Sequence, residues 1–481
     1  MAVHAGDDGH HRVASTQSAG QGEGVSVPLP LRLADVWRRG FLQHVHLSIA
    51  GRPRELNIPD NAACEIVKEP GLRFVDSLDG AVARALARPI GSPRVGDLVR
   101  PGDRIALILT DITRKLHEDR IIPALLAEIG GAGVPLSAVT GVVATGTHRP
   151  NSKDEMVTMY GAEVVRRIRI VNHDAYDGAN LVFGGLSPRG IPIWLNRLVV
   201  EADVRIATGC IEPHLMAGYS GGIKGMSVGV AGEKTIAATH CVDMVEHPST
   251  RLGVIEGNCF REFLNDVGNT VPLHFVVNVV QDGEGNVVRV VAGHSRAAFE
   301  EGVRAARRVC EAAVEDAADI VVTVPLSPKD CDLYQSLRTL NNIIFGPEPV
   351  VRPGGVILIP AACPDGTGHA DFFKCMSSLP SPEAIIDHIR KKRAISPGEV
   401  VSLKCAKTLL RARIVITDTG LDPSLVQSMH FEHAPTLESA FAREFERYSR
   451  DRRPGSAVRV MVLPHGITTL PVIAHRRSRQ G

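Results

Sequence analysis

Short apolar runs alternate with helical patterns along most of the chain, and this alternation indicates the fold class. Arg104 to Leu109, Ala138 to Ala144, Ile168 to Val171 and Val204 to Ala207 are short and mostly apolar, as the buried strands of parallel sheets are. A helical pattern from about Glu118 to Ile129 separates the first two runs. Strands that alternate with helices predict an α/β domain with a mainly parallel sheet.

The same alternation starts again near Arg296 and predicts a second α/β domain. A hairpin between Leu273 and Val291 precedes it, because two alternating segments flank a turn rich in Gly, Asp and Asn. A helix is predicted from about Ala297 to Ala313, followed by a strand from Ile320 to Val324. Further strands are predicted at Gly355 to Pro360, Arg413 to Thr417 and Val458 to Leu463.

We therefore expect two α/β domains with mainly parallel sheets and a cofactor or substrate cleft between them. Residues 36–295 form the first predicted domain and residues 296–470 the second. Residues 1–35 are rich in Gly, Ser, Gln and His and lack the apolar stretch of a secretory signal, which predicts a disordered tail. Residues 471–481 form a predicted basic tail.

A polar cluster directly follows each of the four strands predicted first. The clusters are Asp111 with Arg114, Thr147 with His148 and Arg149, His173 with Asp174, and His214 with Lys224. Because the carboxyl ends of parallel strands lie at one edge of a sheet, these clusters should meet at one cleft. A single cluster could equally be a helix cap or a turn, but four in series favour a ligand site.

The stretch from Arg205 to His240 contains the strongest local signal. A strand ends in a loop of glycine and serine, and a helical pattern begins near Ala231. Free backbone N–H groups at such a loop attract anions, and glycines let a ligand approach the backbone closely. Lys224 lies in the same loop, with His214 before it and His240 after it, a combination more specific than the glycines alone.

Charge and cysteine content exclude several classes of protein. Lys plus Arg number 54 and Asp plus Glu number 53, so no charge surplus indicates a nucleic-acid or membrane-surface partner. No apolar run approaches the roughly 18 residues that span a bilayer. The nine cysteines contain no CxxC pair, which argues against a zinc knuckle or a disulfide framework and favours free thiols in a reducing cytoplasm.

Several side chains in the clusters suit acid–base, covalent or metal chemistry. Imidazole titrates near neutral pH, so His148 and His214 can act as a matched acid and base. Two bases on opposite faces of a bound molecule suit a stereochemical inversion. Lys224 can bind phosphate or form a covalent bond to a cofactor, and His240 can ligate zinc, copper, iron or nickel. Arg114 has the geometry to hold a carboxylate.

At these residues the sequence resembles the nickel-pincer lactate racemases. The main motif is His214-x-x-x-Gly218-x-Ser220-Gly221-Gly222-x-Lys224, followed at a suitable interval by His240. The supporting motifs are Asp111-x-Thr113-Arg114, Thr145-Gly146-Thr147-His148-Arg149, Asn172-His173-Asp174 and Tyr334-Gln335. The resemblance extends over about residues 40–470 in the same order.

The resemblance implies a cofactor and a reaction. Lys224 would carry pyridinium-3-thioamide-5-thiocarboxylate mononucleotide, the nickel pincer, through a covalent thioamide, and His240 would ligate the nickel. His148 and His214 match the acid/base pair of a racemase or epimerase that moves the C2 hydride of a 2-hydroxy acid to the pincer and back. The remaining matches are the substrate contacts Arg114, Tyr334 and Gln335 and the cofactor contacts Asp111, Thr147, Ser220, Gly221 and Gly222. The implied partners are a 2-hydroxy acid and the enzymes that synthesise the pincer and insert nickel.

Three departures from the family pattern bear on the substrate. Arg338 stands where the family has a substrate-binding lysine, so the positive charge remains but its shape and reach differ. The family's pocket aromatic residue is not evident near Phe372 to Cys375, and Val228-Gly229 and Asn258-Cys259 replace two proline-containing pairs. The identity of the acid, and racemisation against epimerisation, therefore stay open.

Two other functions compete with this interpretation. The first is a non-enzymatic nucleotide- or anion-binding protein in which Lys224 only pairs with an anion. The second is a zinc hydrolase with His148, His214 and His240 as ligands, which would leave the glycine-rich loop without a role.

Overall fold

The computed structural model describes residues 42–67, 71–114, 116–327, 329–392, 395–450 and 456–474. The predicted tail at residues 1–35 lies outside these ranges, and so does most of the predicted tail at residues 471–481. Both tails therefore stay predictions.

The described strands and helices alternate through most of the chain. The strands are β1 (Leu42–Ile49), β2 (Arg52–Pro59), β3 (Ala62–Ile66), β4 (Ile105–Leu109), β5 (Val139–Val143), β6 (Arg169–Asn172), β7 (Leu181–Leu186), β8 (Pro192–Asn196), β9 (Val204–Cys210), β10 (Pro213–His214), β11 (Gly218–Tyr219), β12 (Phe275–Gln281), β13 (Val287–Gly293), β14 (Glu311–Val314), β15 (Ala318–Thr323), β16 (Val351–Pro360), β17 (Arg413–Thr417), β18 (Glu432–His433), β19 (Val458–Leu463) and β20 (Leu470–Ile473). The α-helices are α1 (Leu78–Ala87), α2 (Val95–Leu98), α3 (Glu118–Gly131), α4 (Lys153–Tyr160), α5 (Ala162–Arg167), α6 (Arg197–Val200), α7 (Lys224–Ser227), α8 (Glu233–Thr239), α9 (Val242–Glu246), α10 (Cys259–Thr270), α11 (Ser295–Cys310), α12 (Leu333–Ser336), α13 (Leu340–Ile344), α14 (Ala370–Ser378), α15 (Pro382–Arg390), α16 (Pro397–Leu409), α17 (Pro423–Ser428) and α18 (Leu437–Arg450). None of these described helices combines the length and the apolar character needed to cross a bilayer.

The first large sheet contains the strands whose ends carry the polar clusters. Its order among the described strands is β13-β12-β9-β4-β5-β6, and all neighbours are parallel except β12 and β13. β4 lies in the centre, where Ile105 is opposite both Val204 of β9 and Val139 of β5. The carboxyl ends of β9, β4, β5 and β6 therefore lie at one edge of the sheet, as predicted.

Strand β4 shows why these strands are continuous apolar runs. Ala106 and Ile108 pack into one core together with helix α10, whereas Ile105, Leu107 and Leu109 pack into a second core together with helix α3. Successive side chains of a strand point to opposite faces, and here helices cover both faces. Each fully buried Ile or Leu contributes about 1.5–3 kcal/mol of hydrophobic stabilisation.

The second large sheet is parallel throughout its described strands, in the order β18-β17-β16-β15-β19-β3. Its last strand comes from the N-terminal part of the chain, since Ala62 of β3 is opposite Val458 of β19. The prediction of an α/β fold with mainly parallel sheets is confirmed. The domain boundaries at residues 36–295 and 296–470 stay predictions.

The structure differs from the prediction in the segment that leads into the second large sheet. Helix α11 ends at Cys310 and not near Ala313, because Glu311–Val314 form β14, which pairs in parallel with β20. The β7–β8 hairpin was not predicted, and its register shifts between Phe183 and Gly185. The predicted hairpin between Leu273 and Val291 is confirmed as β12–β13, and β1 and β2 form another hairpin.

Candidate active site

The turn after β4 holds Asp111 against His148, which lies in the loop after β5. Asp111 Oδ2 is 2.6 Å from His148 Nδ1, and Asp111 Oδ1 accepts hydrogen bonds from the amide and hydroxyl of Thr113. The Asp111 side chain is buried, whereas the His148 side chain is 59% exposed. Burial alone would raise the pKa of Asp111, but these hydrogen bonds and the charge of Arg114 lower it below its usual value. Ionised Asp111 therefore keeps the proton of neutral His148 on Nδ1 and leaves Nε2 free to accept another.

Beneath this turn, the buried carboxylate of Glu118 ties two strand ends together. Glu118 lies in the first turn of α3 and accepts hydrogen bonds from the Thr110 amide at 3.1 Å, the Thr110 hydroxyl at 2.8 Å and the Thr208 hydroxyl. Burial raises the pKa of Glu118 to about 7, although these hydrogen bonds partly offset the effect. Sequence reasoning missed Glu118 because a glutamate in a first helical turn is ordinarily an exposed residue that the helix dipole favours.

His214 lies in the two-residue strand β10, which pairs with β11 across a tight turn. Its Nδ1 accepts hydrogen bonds from the amides of Met216 and Ala217, each at 3.2 Å. Backbone amides only donate, so neutral His214 carries its proton on Nε2. The two predicted acid/base histidines are therefore held in opposite tautomers, with a lone pair on Nε2 of His148 and a proton on Nε2 of His214.

A concentration of positive charge surrounds His214 and Lys224. Burial lowers the pKa of His214 well below its usual value, and the charges of Lys224, Arg114 and Arg261 lower it further. Burial likewise lowers the pKa of Lys224 to about 8, with contributions from Arg114 and Arg261. The half-buried Lys224 amine makes no hydrogen bond or ion pair with the described residues. An amine in this state is partly uncharged at neutral pH and can act as a nucleophile.

The glycine-rich loop that leads to Lys224 is fixed by hydrogen bonds and by close packing. The Ser220 hydroxyl donates to a backbone carbonyl of β9 at 2.7 Å, and the Gly222 amide donates to Asn278 Oδ1 at 2.8 Å. Gly221 and Gly222 have φ values of 80° and 57°, which favour glycine. A Cβ atom on Gly222 would lie 2.9 Å from Cδ2 of Phe299. The loop can therefore adopt this path only with glycine at this position.

His240 caps helix α8 and has one ring nitrogen without a partner. Its Nδ1 lies 3.0 Å from the Ile236 carbonyl, and its ring meets Phe260 edge-on with the centroids 5.4 Å apart. Nε2 makes no hydrogen bond with the described residues. Burial lowers the pKa of His240, although the bond to Ile236 opposes this effect, and so the ring is neutral as metal binding requires.

Arg114 is paired with Glu212, the residue two positions before His214. The two side chains form an ion pair, and each is partly exposed. Burial would lower the pKa of Arg114, but the charge of Glu212 more than compensates. The backbone of Glu212 is fixed as well, because its amide donates to the Ser220 hydroxyl at 3.1 Å. The predicted substrate-binding arginine thus already has a carboxylate partner, which sequence reasoning did not anticipate.

The predicted substrate contacts of the second domain lie together on α12 and the turn that follows. Asp332 caps this helix by accepting a hydrogen bond from the Gln335 amide at 2.7 Å. The Tyr334 ring is half-buried, with its centroid 5.5 Å from that of His369. Arg338 is exposed, and its guanidinium donates to Gln335 Oε1 at 3.2 Å. Gln335 therefore orients Arg338, and both stay predicted substrate contacts.

One of the four polar clusters does not form part of an open site. His173 is 3% exposed, and its two ring nitrogens contact the Ala231 carbonyl at 2.9 Å and the Asn196 amide group at 3.1 Å. Burial lowers its pKa, so it is a neutral core residue that joins β6 to two neighbouring segments. Thr147, in contrast, is exposed in the loop after β5 and stays a predicted cofactor contact.

The arrangement of the histidines does not fit a zinc site made of protein ligands alone. Within the described ranges, no three or more His, Cys, Asp or Glu side chains are grouped to hold a metal ion. A zinc hydrolase would need three nitrogens about 2.0–2.1 Å from one metal. Among the described residues, the structure therefore contradicts the alternative in which His148, His214 and His240 are joint ligands of one zinc ion.

Comparison with known proteins identifies the family of this chain. Residues 51–253 match the model of the lactate racemase N-terminal domain, and residues 313–471 match the model of the lactate racemase C-terminal domain. The lactate racemase of Lactiplantibacillus plantarum is 29% identical over 388 residues, which cover 80% of this chain and 89% of that protein. The lactate racemase of Thermoanaerobacterium thermosaccharolyticum is 30% identical over 397 residues, which cover 82% of this chain and 90% of that protein.

Solved structures give the same result. The lactate racemase apoprotein from Thermoanaerobacterium thermosaccharolyticum superposes with a TM-score of 0.77 at 28% identity, over 89% of this chain and 100% of that chain. A protein from Thermotoga maritima, 17% identical, superposes with a TM-score of 0.57 and shows the fold alone, over 83% of this chain and 100% of that chain. The family models and the two lactate racemases define an isomerase of the racemase type. The chain belongs to the lactate racemase family.

Proposed function

We propose that this protein is a racemase or epimerase of a 2-hydroxy acid, and that its Lys224 carries a covalently bound nickel-pincer nucleotide. Lys224 itself supports this most strongly, because it is an unpaired amine with a lowered pKa at the end of a glycine-rich loop. An uncharged amine can form a covalent bond to a carboxyl-derived group, whereas a protonated amine cannot. Family membership supports the same assignment.

The residues around Lys224 fit the pincer nucleotide and its nickel. His240 offers Nε2 as a ligand, and its Nδ1 hydrogen bond to a carbonyl orients the ring as in other metal-ligating histidines. The proposed contacts of the nucleotide are Asp111, Thr147, Ser220, Gly221 and Gly222. When bound, the nickel pincer supplies an acceptor for the C2 hydride of the substrate.

The two acid/base histidines divide the proton transfers. His148 takes the substrate hydroxyl proton on Nε2, and ionised Asp111 stabilises the imidazolium that results. Neutral His214 presents Nε2–H to the substrate oxygen as a hydrogen-bond donor, and its imidazolium form, which the lowered pKa disfavours, releases a proton readily. In one direction the hydroxyl proton leaves to His148 and a proton from the imidazolium form of His214 replaces it, and in the other direction the roles reverse.

The substrate is proposed to bind through its carboxylate to Arg114, with Tyr334, Gln335 and Arg338 beside it. The relatives are lactate racemases, so lactate is the first acid to test. Arg338 presents a planar fork of donors in place of a lysine's point charge, which suits a substrate with a further oxygen acceptor. A screen should therefore include larger 2-hydroxy acids and sugar acids with both configurations at C2.

Intact-protein mass spectrometry with metal analysis tests the cofactor assignment. Protein from a host that makes the pincer should carry an added mass that peptide mapping places on Lys224, together with nickel. Lys224→Ala should lack the adduct, and Lys224→Arg should lack it as well although it keeps the positive charge. Lys234→Ala, which changes an exposed lysine on α8, should retain it.

An unmodified, nickel-free chain from such a host would overturn this proposal and favour the anion-binding alternative. His240→Ala separates the two parts of the cofactor, because it should keep the organic adduct and lose nickel. Unchanged nickel content in that variant would remove His240 from the ligand set.

We also propose that the protein acts in the cytoplasm, where the enzymes that synthesise the pincer and insert nickel would be its partners. All nine cysteines are free thiols in the structure, and most are buried, which supports a reducing compartment. Formation of a disulfide among these thiols in protein isolated without reductant would argue against this location.

A further inference from the structure

A single peptide unit connects His214 to the buried start of helix α10. The unit joins Met216 to Ala217, and its N–H donates to His214 Nδ1 at 3.2 Å. The carbonyl of the same unit accepts a hydrogen bond from Asn258 Nδ2 at 2.8 Å. Hydrogen bonds at the two ends of one peptide polarise each other, so the Asn258 donor strengthens the N–H that faces His214.

Arg261 holds the carbonyl of the next peptide unit, which joins Ala217 to Gly218. Its Nε and Nη2 donate to the Ala217 carbonyl at 3.2 and 3.1 Å, and Nη2 also donates to the Tyr219 carbonyl. The guanidinium carbon lies 4.3 Å from the centroid of the Phe299 ring, and the residue is 3% exposed. Arg261 thus fixes both ends of the turn that joins His214 to the glycine-rich loop.

Asn258 and Arg261 form one structural unit. The Asn258 side chain is fully buried and caps α10 through Oδ1, which accepts the amides of Phe260 and Arg261 at 3.0 and 3.1 Å. The same cap therefore orients Nδ2 toward Met216 and places Arg261 beneath the turn. None of the described carboxylates pairs with Arg261, so its charge acts on the neighbouring histidine without compensation.

We propose that Asn258 and Arg261 are positioning residues that lock His214 in the tautomer with its proton on Nε2. Asn258 acts on the peptide unit whose Ala217 amide Nδ1 accepts, and Arg261 holds the carbonyl of Ala217 itself. Neither residue touches the reacting atoms in this role. The role of this tautomer in catalysis rests on the proposed function, because the tautomer decides which histidine presents a proton to the substrate oxygen. The charged and titratable groups that face His214 are Lys224, Arg114, Arg261 and His240, and all of them oppose a second proton on its ring.

Nitrogen-15 NMR of the apoprotein measures the tautomer of His214 and needs no cofactor. Protein labelled with 15N-histidine should show the His214 ring with an unprotonated Nδ1 and a protonated Nε2, and the spectrum of His214→Gln assigns the signals. Asn258→Asp keeps the capping oxygen but replaces the donor to Met216 with an acceptor. It should shift the tautomer ratio of His214 by roughly tenfold, the effect of losing one ordinary buried hydrogen bond.

Two further variants separate positioning from general destabilisation. Arg261→Gln should shift the same ratio in the same direction, whereas Arg261→Lys should shift it less because it keeps the charge. Asn342→Asp makes the same chemical change at another buried asparagine that donates to backbone carbonyls, in the region of β20. It should leave the His214 signals unchanged.

An unchanged His214 tautomer in folded Asn258→Asp and Arg261→Gln would overturn the proposal. If Asn258→Asp fails to fold, Arg261→Lys and Arg261→Gln still decide the question. The result is independent of the cofactor assignment, because a tautomer shift in the apoprotein would support this positioning role whether or not Lys224 carries a cofactor. The absence of an adduct on Lys224 in protein from a host that makes the pincer would separately contradict the proposed function. In enzyme loaded with cofactor, Asn258→Asp and Arg261→Gln should lower kcat with little change in KM.

Discussion

Asp111 Oδ2 lies 2.6 Å from Nδ1 of His148, and this contact leaves Nε2 as the nitrogen through which His148 exchanges protons. Asp111→Asn would place an amide group against Nδ1, and an amide donor there would move the imidazole proton to Nε2. The variant should lose the proton acceptor and slow kcat by roughly 10²–10⁴-fold, the usual cost of a lost acid/base group. Steady-state kinetics in both directions measure this loss.

Asp154→Asn is a suitable control for Asp111→Asn, because Asp154 is exposed on α4 and its carboxylate makes no hydrogen bond or ion pair with the described residues. The control should keep normal kcat and KM. Full activity in Asp111→Asn with cofactor bound would show that His148 does not depend on its carboxylate partner.

The ion pair between Arg114 and Glu212 leads to a prediction about substrate affinity. If the substrate carboxylate binds Arg114, it competes with Glu212 for the guanidinium. Glu212→Gln should then lower KM, by up to about fivefold, because a partly exposed pair contributes about 0.2–1 kcal/mol. Arg114→Gln should raise KM strongly in the same assay.

Glu256→Gln provides the comparison for Glu212→Gln, because it removes an exposed glutamate from another loop. KM should not change in this control. A higher KM in Glu212→Gln would mean that Glu212 orients Arg114 for the substrate and does not compete with it.

The architecture of the sheets could be predicted because their strands are buried on both faces. β17 and β19 have the predicted bounds, Arg413–Thr417 and Val458–Leu463, since the apolar run ends where each strand leaves the core. The convergence of three of the four polar clusters followed from parallel topology alone, whereas His173 became a core residue. The short strand β3 could not be placed in this way, because its pairing with β19 joins segments almost 400 residues apart.

The residues that support the site were harder to predict than the site itself. His148, His214 and Lys224 lie in recognisable motifs, but their partners act through tertiary contacts. The capping role of Asn258 is local and can be read from the sequence, whereas the contact of its Nδ2 with Met216 depends on how α10 packs. Arg261 and Glu118 lie on helices at positions that a sequence pattern cannot distinguish from exposed ones.

Glu118 gives the protein a pH-dependent stability. Its pKa is about 7 in the folded protein and 4.5 in an unfolded chain, because burial disfavours its charge. Below about pH 4.5 the carboxyl is protonated in both states, and no stability is lost. As the pH rises from 4.5 to about 7 the unfolded state ionises first, so folding loses on the order of 3 kcal/mol. Glu118→Gln removes this ionisation. The free energy of unfolding of the variant, relative to that of wild type, should therefore be larger at pH 8 than at pH 5.

Urea denaturation at pH 5 and pH 8 measures the free energy of unfolding of wild type and of Glu118→Gln. Glu300→Gln on helix α11 is the control, because Glu300 is exposed and its substitution should have a similar small effect at each pH. A Glu118→Gln effect that does not vary with pH would show that the Glu118 carboxyl keeps an ordinary pKa in the folded protein.

Gly222 should tolerate no side chain, since its position combines a positive φ of 57° with close packing against Phe299. Gly222→Ala should destabilise the protein by about 1–3 kcal/mol through overpacking, in addition to backbone strain. Gly190→Ala separates the two causes, because Gly190 has a φ of 75° but no atom lies within 4 Å of the position that a Cβ would take there. Denaturant unfolding should show a clearly larger loss for Gly222→Ala, and mass spectrometry should show less adduct on Lys224. Equal losses in the two variants would mean that Phe299 moves aside and that the loop path does not depend on this contact.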